Sequence, residues 1–231
     1  TEQGVDTAAT RYVQGEIAYA KEDYLEAEAA FLEVLRSAKD DMLLRRCYVS
    51  LGELYRDCAA LVRASSSPIE VPASKSAELL SEAVTKNALR YDTTLWEMLA
   101  MAYYESFHID SNAPREYLRR AGECFTRVLE LGVVKDYLYS NLYSIYYEQG
   151  EYEKALRTLD DYEADFPEDY MPHALRGILL ISMENQKPQT ARDFHTALHE
   201  YEIAGEMIRS GDNTSYYQQF GSLIEDLRKN G

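Results

Sequence analysis

Residues 137–167 read YLYSNLYSIYYEQGEYEKALRTLDDYEADFP, and this stretch decides the fold. Its first half carries large side chains three and four positions apart, a spacing that puts them on one face of an α-helix. These residues are Tyr139, Leu142, Tyr143, Tyr146 and Tyr147. Gly150 interrupts the pattern, a second periodic run follows, and Pro167 ends it because proline cannot continue a helix. The stretch therefore predicts two amphipathic helices joined by a tight turn, a unit that needs similar neighbours to bury its apolar faces.

The pattern resembles the tetratricopeptide repeat (TPR), whose signature is W-x2-L-G-x2-Y in the first helix and A-x3-F with a closing proline in the second. Tyr139 stands at the tryptophan position, Leu142 at the leucine position and Tyr146 at the tyrosine position. The second helix and its end match at Ala155, Leu159 and Pro167. Tyr143 departs from the signature, because a small residue usually stands there, so we expect these two helices to cross less closely. A second departure, Arg176, replaces the leucine of a later repeat.

The signature recurs along the chain, most completely as YVSLGELY at 48–55, so that the resemblance covers about residues 9–229. It implies an all-α fold, a right-handed α-solenoid of helix–turn–helix TPR units with about five repeats and a C-terminal capping helix. We predict a flexible N-terminal tail over residues 1–8 and a single solenoid domain over 9–231. The predicted repeats are about 9–41, 45–90, 93–135, 136–169 and 170–211, followed by the capping helix at 213–229.

Three turns inside the predicted repeats carry extra residues, near 65–73, 107–116 and 184–190. Each lies at the same point of its repeat, between the first and the second helix. We therefore expect all three to project from one edge of the solenoid. That edge is either a second contact surface or a place where insertions are tolerated, and we favour contact.

The composition is acidic, since 24 lysines and arginines against 40 aspartates and glutamates give a formal net charge of −16. A field of this sign repels phosphate backbones and anionic membrane surfaces, so it disfavours nucleic acid and favours basic or neutral partners. Solubility alone also explains such a surface. No apolar run is long enough for membrane insertion. We predict a cytoplasmic protein unless an upstream leader or membrane anchor was removed, and the sequence defines no oligomeric state.

In TPR proteins the first helices line a concave groove that binds peptides, and the resemblance implies a groove here. Carried over position by position, the groove residues are Tyr12, Glu16, Tyr19, Arg46, Val49, Glu53, Arg56, Glu97, Met101, Tyr104, Tyr137, Ser140, Asn141, Ser144 and Tyr147. This set is aromatic and acidic with two arginines, and tyrosine and arginine dominate binding hot spots. We therefore expect a protein or peptide partner that is basic or aromatic. The alternative is that the tyrosines only fill half-buried space.

Some TPR proteins that bind chaperones hold an acidic C-terminal tail with lysine and asparagine side chains. At the equivalent places of the first repeat this chain has Tyr12 and Glu16, neither of which can bind a carboxylate in that way. A carboxylate clamp is therefore not expected.

Candidate chemistry is sparse. His195, His199 and Glu202 share a predicted helix face, as zinc ligands could. However, the H-E-x-x-H pattern is absent and no second helix offers an obvious fourth ligand, so we interpret them as a solvated face. The sequence has no phosphate-binding glycine loop and no nucleophile in a recognisable local motif, although a dispersed triad stays open. We predict no metal, no cofactor and no enzymatic activity, and buried reduced thiols at the cysteines.

These observations favour a scaffold or adaptor that binds a protein segment in the groove of a TPR solenoid, without catalysis. The alternative is a regulatory or sensor module of a larger signalling protein, for example a bacterial kinase or transcription regulator, because such arrays are often attached to these proteins.

Overall fold

The computed structural model describes residues 7–62, 66–109, 113–210 and 214–230, and within the last range the side chains of residues 221–229. The described residues form helices and no strand. The helices are α1 Thr7–Ala20, α2 Tyr24–Ser37, α3 Asp41–Val62, α4 Pro72–Thr85, α5 Thr93–Ile109, α6 Arg115–Glu130, α7 Asp136–Gln149, α8 Tyr152–Asp165, α9 Met171–Asn185, α10 His195–Ser210 and α11 Thr214–Asn230, with a short 3-10 turn at Gln189–Ala191.

The turn between α7 and α8 shows how the sequence ends one helix and begins the next. Gly150 has a φ of 73°, a left-handed conformation that glycine adopts without a steric penalty. Its N–H donates to the carbonyl of Tyr147 at 3.0 Å, and the N–H of Glu151 donates to the carbonyl of Tyr146 at 2.8 Å. These bonds satisfy carbonyls at the end of α7, so α8 follows after a turn of two residues.

The chain divides into two compact units, Thr1–Val133 and Val134–Gly231. In the N-terminal unit, α1 packs on α2, α3 on α4 and α5 on α6, and each pair also contacts the next pair. The first helices α1, α3 and α5 contact one another in succession. They therefore form one layer of the unit. Fully buried side chains of this core include Phe31, Leu51, Leu80, Leu95 and Phe125.

The C-terminal unit contains the pairs α7–α8 and α9–α10, followed by α11, which packs on α10. Tyr139, near the start of α7, stacks on Tyr162, near the end of α8, with ring centroids 5.4 Å apart. This contact shows that the two helices run antiparallel. Leu138, Leu159 and Leu179 are fully buried in the core of this unit.

Small residues let the helices of a repeat approach closely. A Cβ atom at Gly15 would lie 2.6 Å from the ring of Phe31 on α2, and one at Gly177 would lie 2.8 Å from the ring of Tyr201 on α10. Gly52 has a different neighbour, because its nearest contact is the terminal methyl of Met98 on α5. Gly15 and Gly177 therefore make room for the second helix of their own repeat, whereas Gly52 makes room for the first helix of the next repeat.

The fold class is confirmed: five helix pairs and a C-terminal helix form an all-α TPR-type fold. The predicted tail needs a correction, because α1 already begins at Thr7 and Ala8 is buried; residues 1–6 lie outside the described residues. Parts of two predicted inserted turns, residues 63–65 and 110–112, also lie outside them. The single domain over 9–231 stays a prediction.

Candidate interaction surface

The fifteen predicted groove residues all lie on first helices. In the N-terminal unit they belong to α1, α3 and α5, the helices that contact one another, and in the C-terminal unit they belong to α7. None of them is fully buried, and Arg46, Arg56 and Tyr137 are exposed. The structure thus brings the ten residues of the N-terminal unit onto one layer of helices, and the five residues of α7 form a separate group.

Two tyrosines of α1 reach side chains of α3. The hydroxyl of Tyr12 lies 3.1 Å from the Oγ of Ser50, and Ser50 in turn donates to a carboxylate oxygen of Glu16 at 2.7 Å. The hydroxyl of Tyr19 donates to a carboxylate oxygen of Asp57 at 2.6 Å. Ser50 and Asp57 are not in the predicted set. They belong to the same surface because they hold its tyrosines.

Both tyrosine hydroxyls carry their proton at neutral pH, as a tyrosine with its ordinary pKa of about 10 also does. Desolvation raises the pKa of Tyr19 well above that of a free tyrosine, and the hydrogen bond to Asp57 raises it further. Desolvation also raises the pKa of Tyr12, against the smaller opposite effect of Ser50. The shifts therefore extend the pH range in which these hydroxyls keep their proton into the alkaline region.

The surface of the N-terminal unit carries more acidic than basic side chains. Glu16, Glu53 and Glu97 from the predicted set and Asp57 beside them oppose two arginines, Arg46 and Arg56. Glu53 and Arg56 lie close enough to Tyr19 to shift its pKa, in opposite directions. At the end of α5, the ring of Tyr104 meets that of His108 edge to face, with centroids 4.4 Å apart. The surface therefore offers aromatic rings beside carboxylate oxygens.

The α7 group uses its polar atoms largely within the unit. The hydroxyl of Tyr147 lies 2.8 Å from the Oγ of Ser182 on α9. Ser144 donates to the carbonyl of Ser140 within its own helix at 2.9 Å. Tyr137, 37% exposed, accepts a hydrogen bond from the Lys135 ammonium at 2.7 Å. The hydroxyl groups of this set are therefore already engaged by other residues of the unit.

A buried ionic cluster in the C-terminal unit explains the departure at Arg176. Its guanidinium contacts Glu163 at 2.8 Å and Asp160 at 3.0 Å, both on α8, and Glu200 on α10 at 3.2 Å. His173, one turn earlier on α9, lies 2.7 Å from Glu200. Burial opposes the charge of Arg176, but hydrogen bonds to Glu163 and Glu200 raise its pKa overall. The arginine therefore joins three consecutive helices where a repeat leucine would only pack.

Two of the three residues weighed as zinc ligands, His195 and Glu202, have other partners. His195 lies 2.6 Å from a carboxylate oxygen of Asp193, and Glu202 accepts a hydrogen bond from Arg228 at 3.1 Å. Within the described ranges, no group of three or more histidine, cysteine, aspartate or glutamate side chains is placed to hold a metal ion. The same ranges contain no helix with the length and apolar character needed to cross a membrane.

All three cysteines are free and buried. Desolvation raises the pKa of Cys47 to about 12, of Cys58 to about 11 and of Cys124 to about 12. A thiol acts as a nucleophile through its thiolate, so these side chains are inert packing groups at neutral pH.

An apolar pocket of about 190 Å³ lies beside two of the inserted turns. It is lined by the ends of α3 and α5, at Val62 and Ile109, and by the start of α4 at Pro72. Val71 at its rim is 55% exposed and has a φ of 41°, which is rare for a β-branched residue.

Comparison with known proteins supports the fold. No protein-family model matches the sequence, and no curated protein matches it. A crystal structure of MamA aligns with 88% of this chain and 93% of its own, at 19% identity and a TM-score of 0.62. A second MamA crystal structure aligns with 85% and 95%, at 19% identity and a TM-score of 0.58. A thermophilic TPR protein of Thermus thermophilus aligns with 93% and 97%, at 17% identity and a TM-score of 0.49.

These identities show the fold alone. Together with the helix pairs described above, the two MamA alignments define an all-α protein of paired helices, the kind of fold that the tetratricopeptide resemblance of the sequence predicts. The MamA structures share this fold over most of both chains.

Proposed function

We propose that this protein is a scaffold or adaptor that binds a segment of another protein on the exposed face of its first helices, without catalysis. The observation that carries the proposal is the layer formed by α1, α3 and α5, on which aromatic and charged side chains remain accessible. Proteins built from such repeats bind partners through extended surfaces of this kind.

The chemistry of this face favours a basic or aromatic segment. Accessible carboxylates attract lysine and arginine side chains, and tyrosine rings bind cations and other rings through their faces. The net charge of −16 acts in the same direction at long range and disfavours nucleic acid. We retain all fifteen predicted residues as candidates, with Ser50 and Asp57 added as their supports.

The alternative, that the tyrosines only fill half-buried space, applies to some of the tyrosines on this face. Tyr12, Tyr19 and Tyr147 hold neighbouring helices through their hydroxyls, so their contribution to binding rests on their rings. We choose Tyr104 on α5 and Glu53 on α3 for a test of binding in the N-terminal unit, because they supply a ring and a carboxylate of the predicted set.

The test is a selection of peptides from a random library displayed on phage, with matched variants. We expect the wild-type protein to enrich peptides that contain lysine, arginine or aromatic residues. Glu53→Lys and Tyr104→Ala should each lose this enrichment. The controls are Glu78→Lys on α4 and Tyr91→Ala, because Glu78 is exposed on a second helix and Tyr91 is 57% exposed outside the helices. Equal enrichment by all five proteins would contradict the proposal.

We place the protein in the cytoplasm as part of the same proposal. The regulatory-module alternative of the sequence analysis differs in its partner, which would then be a domain of the same signalling protein. The binding face and its test are the same for both.

A further inference from the structure

Tyrosine hydroxyls connect consecutive first helices in both compact units. In the N-terminal unit Tyr12 and Tyr19 of α1 reach Ser50 and Asp57 of α3, and each pair is 38 residues apart in the chain. In the C-terminal unit Tyr147 of α7 reaches the hydroxyl of Ser182 on α9, 35 residues later. These separations are close to one repeat length, so the same kind of contact joins equivalent helices of neighbouring repeats.

The described residues of each unit include a second contact of this kind. In the C-terminal unit the second is the hydroxyl of Tyr143, which donates to the backbone carbonyl of Leu175 on α9 at 3.1 Å. In the N-terminal unit the two contacts are seven residues apart on both helices, which corresponds to about 10 Å along a helix axis. One hydrogen bond fixes a distance between two helices. Two bonds at different heights also restrict the angle between them.

The restriction of the helix angle matters because α1 and α3 have few other contacts. The second helix of each repeat packs broadly on its own first helix, whereas α1 meets α3 over a smaller area. Ser50 is only 6% exposed, so water competes weakly for its bond with Tyr12. Tyr19 donates to Asp57 at 2.6 Å, and both residues are only partly exposed. The two contacts are therefore partly shielded from water.

We propose that these tyrosine hydroxyls and their acceptors are positioning groups, which fix the spacing and angle of consecutive first helices. Tyr12, Tyr19, Ser50 and Asp57 perform this role in the N-terminal unit, and Tyr143, Tyr147 and Ser182 perform it in the C-terminal unit. This geometric role does not depend on the proposed binding function. Its consequence for ligands rests on the proposed function, because the same helices form the proposed binding face.

The experiment measures the distance between α1 and α3 directly, without a ligand. Spin labels at Ala20→Cys on α1 and Met42→Cys on α3 use two exposed sites, and the native cysteines are buried. We expect Tyr12→Phe with Tyr19→Phe to shift and broaden the distance distribution from pulsed electron paramagnetic resonance, while the helix content stays unchanged. Tyr24→Phe on α2, whose ring contacts that of Tyr19, is the control and should leave the distribution unchanged.

A second pair of variants tests the acceptor side and keeps the proposal falsifiable if the double tyrosine variant does not fold. Asp57→Asn keeps an oxygen acceptor and should preserve the distribution, whereas Asp57→Ala should broaden it. A folded Tyr12→Phe/Tyr19→Phe or Asp57→Ala variant with the wild-type distribution would overturn the proposal. Because this readout needs no ligand, a failure of the proposed binding function would leave it unaffected and would show only in the peptide selection.

Discussion

At the residue scale, the chain relies on tyrosine where many proteins use phenylalanine, with 20 tyrosines and 6 phenylalanines. A buried tyrosine needs a partner for its hydroxyl. Tyr55 donates to Glu28 at 2.8 Å and Tyr162 donates to Asp169 at 2.6 Å, and each of these rings is almost fully buried. Acidic residues thus satisfy tyrosines in the core as well as giving the protein its negative charge.

The burial of tyrosines predicts a loss of stability at alkaline pH. Burial raises the pKa of Tyr48 and of Tyr201 from 10.0 to about 12 in the folded protein. The unfolded chain therefore releases these protons first, so the stabilisation is complete below pH 10 and is lost as the pH rises towards 12. Denaturant titrations across this range should show a falling free energy of unfolding. A constant free energy over the whole range would contradict the prediction.

The glycines in close contacts give a second prediction at this scale. Gly15→Ala should destabilise the protein by about 1–3 kcal/mol, because the buried ring of Phe31 cannot move away from the added methyl group. Gly52→Ala is the matched control. Its methyl would overlap only with the flexible end of Met98 and would lie at ordinary contact distance from Leu80, and alanine favours a helix over glycine by up to about 1 kcal/mol. Thermal denaturation with a higher Tm for Gly15→Ala than for wild type would exclude this packing.

At the element scale, the Arg176 cluster shows how one residue can join three helices. A leucine at this place would pack between α8, α9 and α10. The arginine instead brings carboxylates of α8 and α10 to α9, and only 11% of its side chain is exposed. Such a cluster costs desolvation, which its several charge pairs offset.

Arg176→Leu should therefore destabilise the protein despite restoring the repeat signature. Removing one partner of a fully buried pair costs about 3–5 kcal/mol. We expect about 2 kcal/mol, because Asp160 and Glu163 are 68% and 42% exposed and regain water, which leaves Glu200 as the buried charge. Equilibrium unfolding measures the loss, and adding Glu200→Gln should recover part of it.

Arg119→Leu is the control for this prediction, because the side chain of Arg119 is 52% exposed and its ion pairs lie at the surface of α6. It should change the stability by less than about 1 kcal/mol. Equal effects of the two substitutions would mean that burial does not matter at Arg176.

The sequence predicts the helices well because their signal is local. Apolar periodicity, Gly150 and Pro167 are enough to define α7, its turn and α8. The partners of Arg176 are not local, since Glu163 precedes it by 13 residues and Glu200 follows it by 24. Only the packing of three helices brings them together, so the sequence shows a departure without its reason.

The sequence contains a weak indication of the residues that hold the tyrosines of the candidate surface. Tyr12 and Tyr19 are seven residues apart, as are Ser50 and Asp57, so matching positions occur on two first helices. The TPR resemblance predicts Tyr12 and Tyr19 as groove residues, because TPR grooves lie on that helix face. It does not predict Ser50 and Asp57, because their role depends on the contact between α1 and α3, which repeat periodicity does not describe.

At the scale of the whole molecule, the predicted single domain over 9–231 has its own test. Trp96, the only tryptophan of the sequence, lies in the N-terminal unit, where its indole N–H donates to the carbonyl of Arg90 at 2.8 Å. Its fluorescence reports that unit, whereas far-UV circular dichroism reports the helices of both units. A single domain predicts coincident denaturant transitions for the two signals. Two separate midpoints would show that the compact units unfold independently.

The central claim is that a partner binds the face of the first helices, and amide hydrogen exchange tests it most directly. The ligand is a peptide enriched by the wild-type protein in the phage selection, added in excess to the unlabelled protein. We predict slower exchange in the first helices α1, α3 and α5, with little change in α2, α4 and α6. Protection that is confined to the second helices, or to the inserted turns, would contradict the claim and move the binding site to another surface.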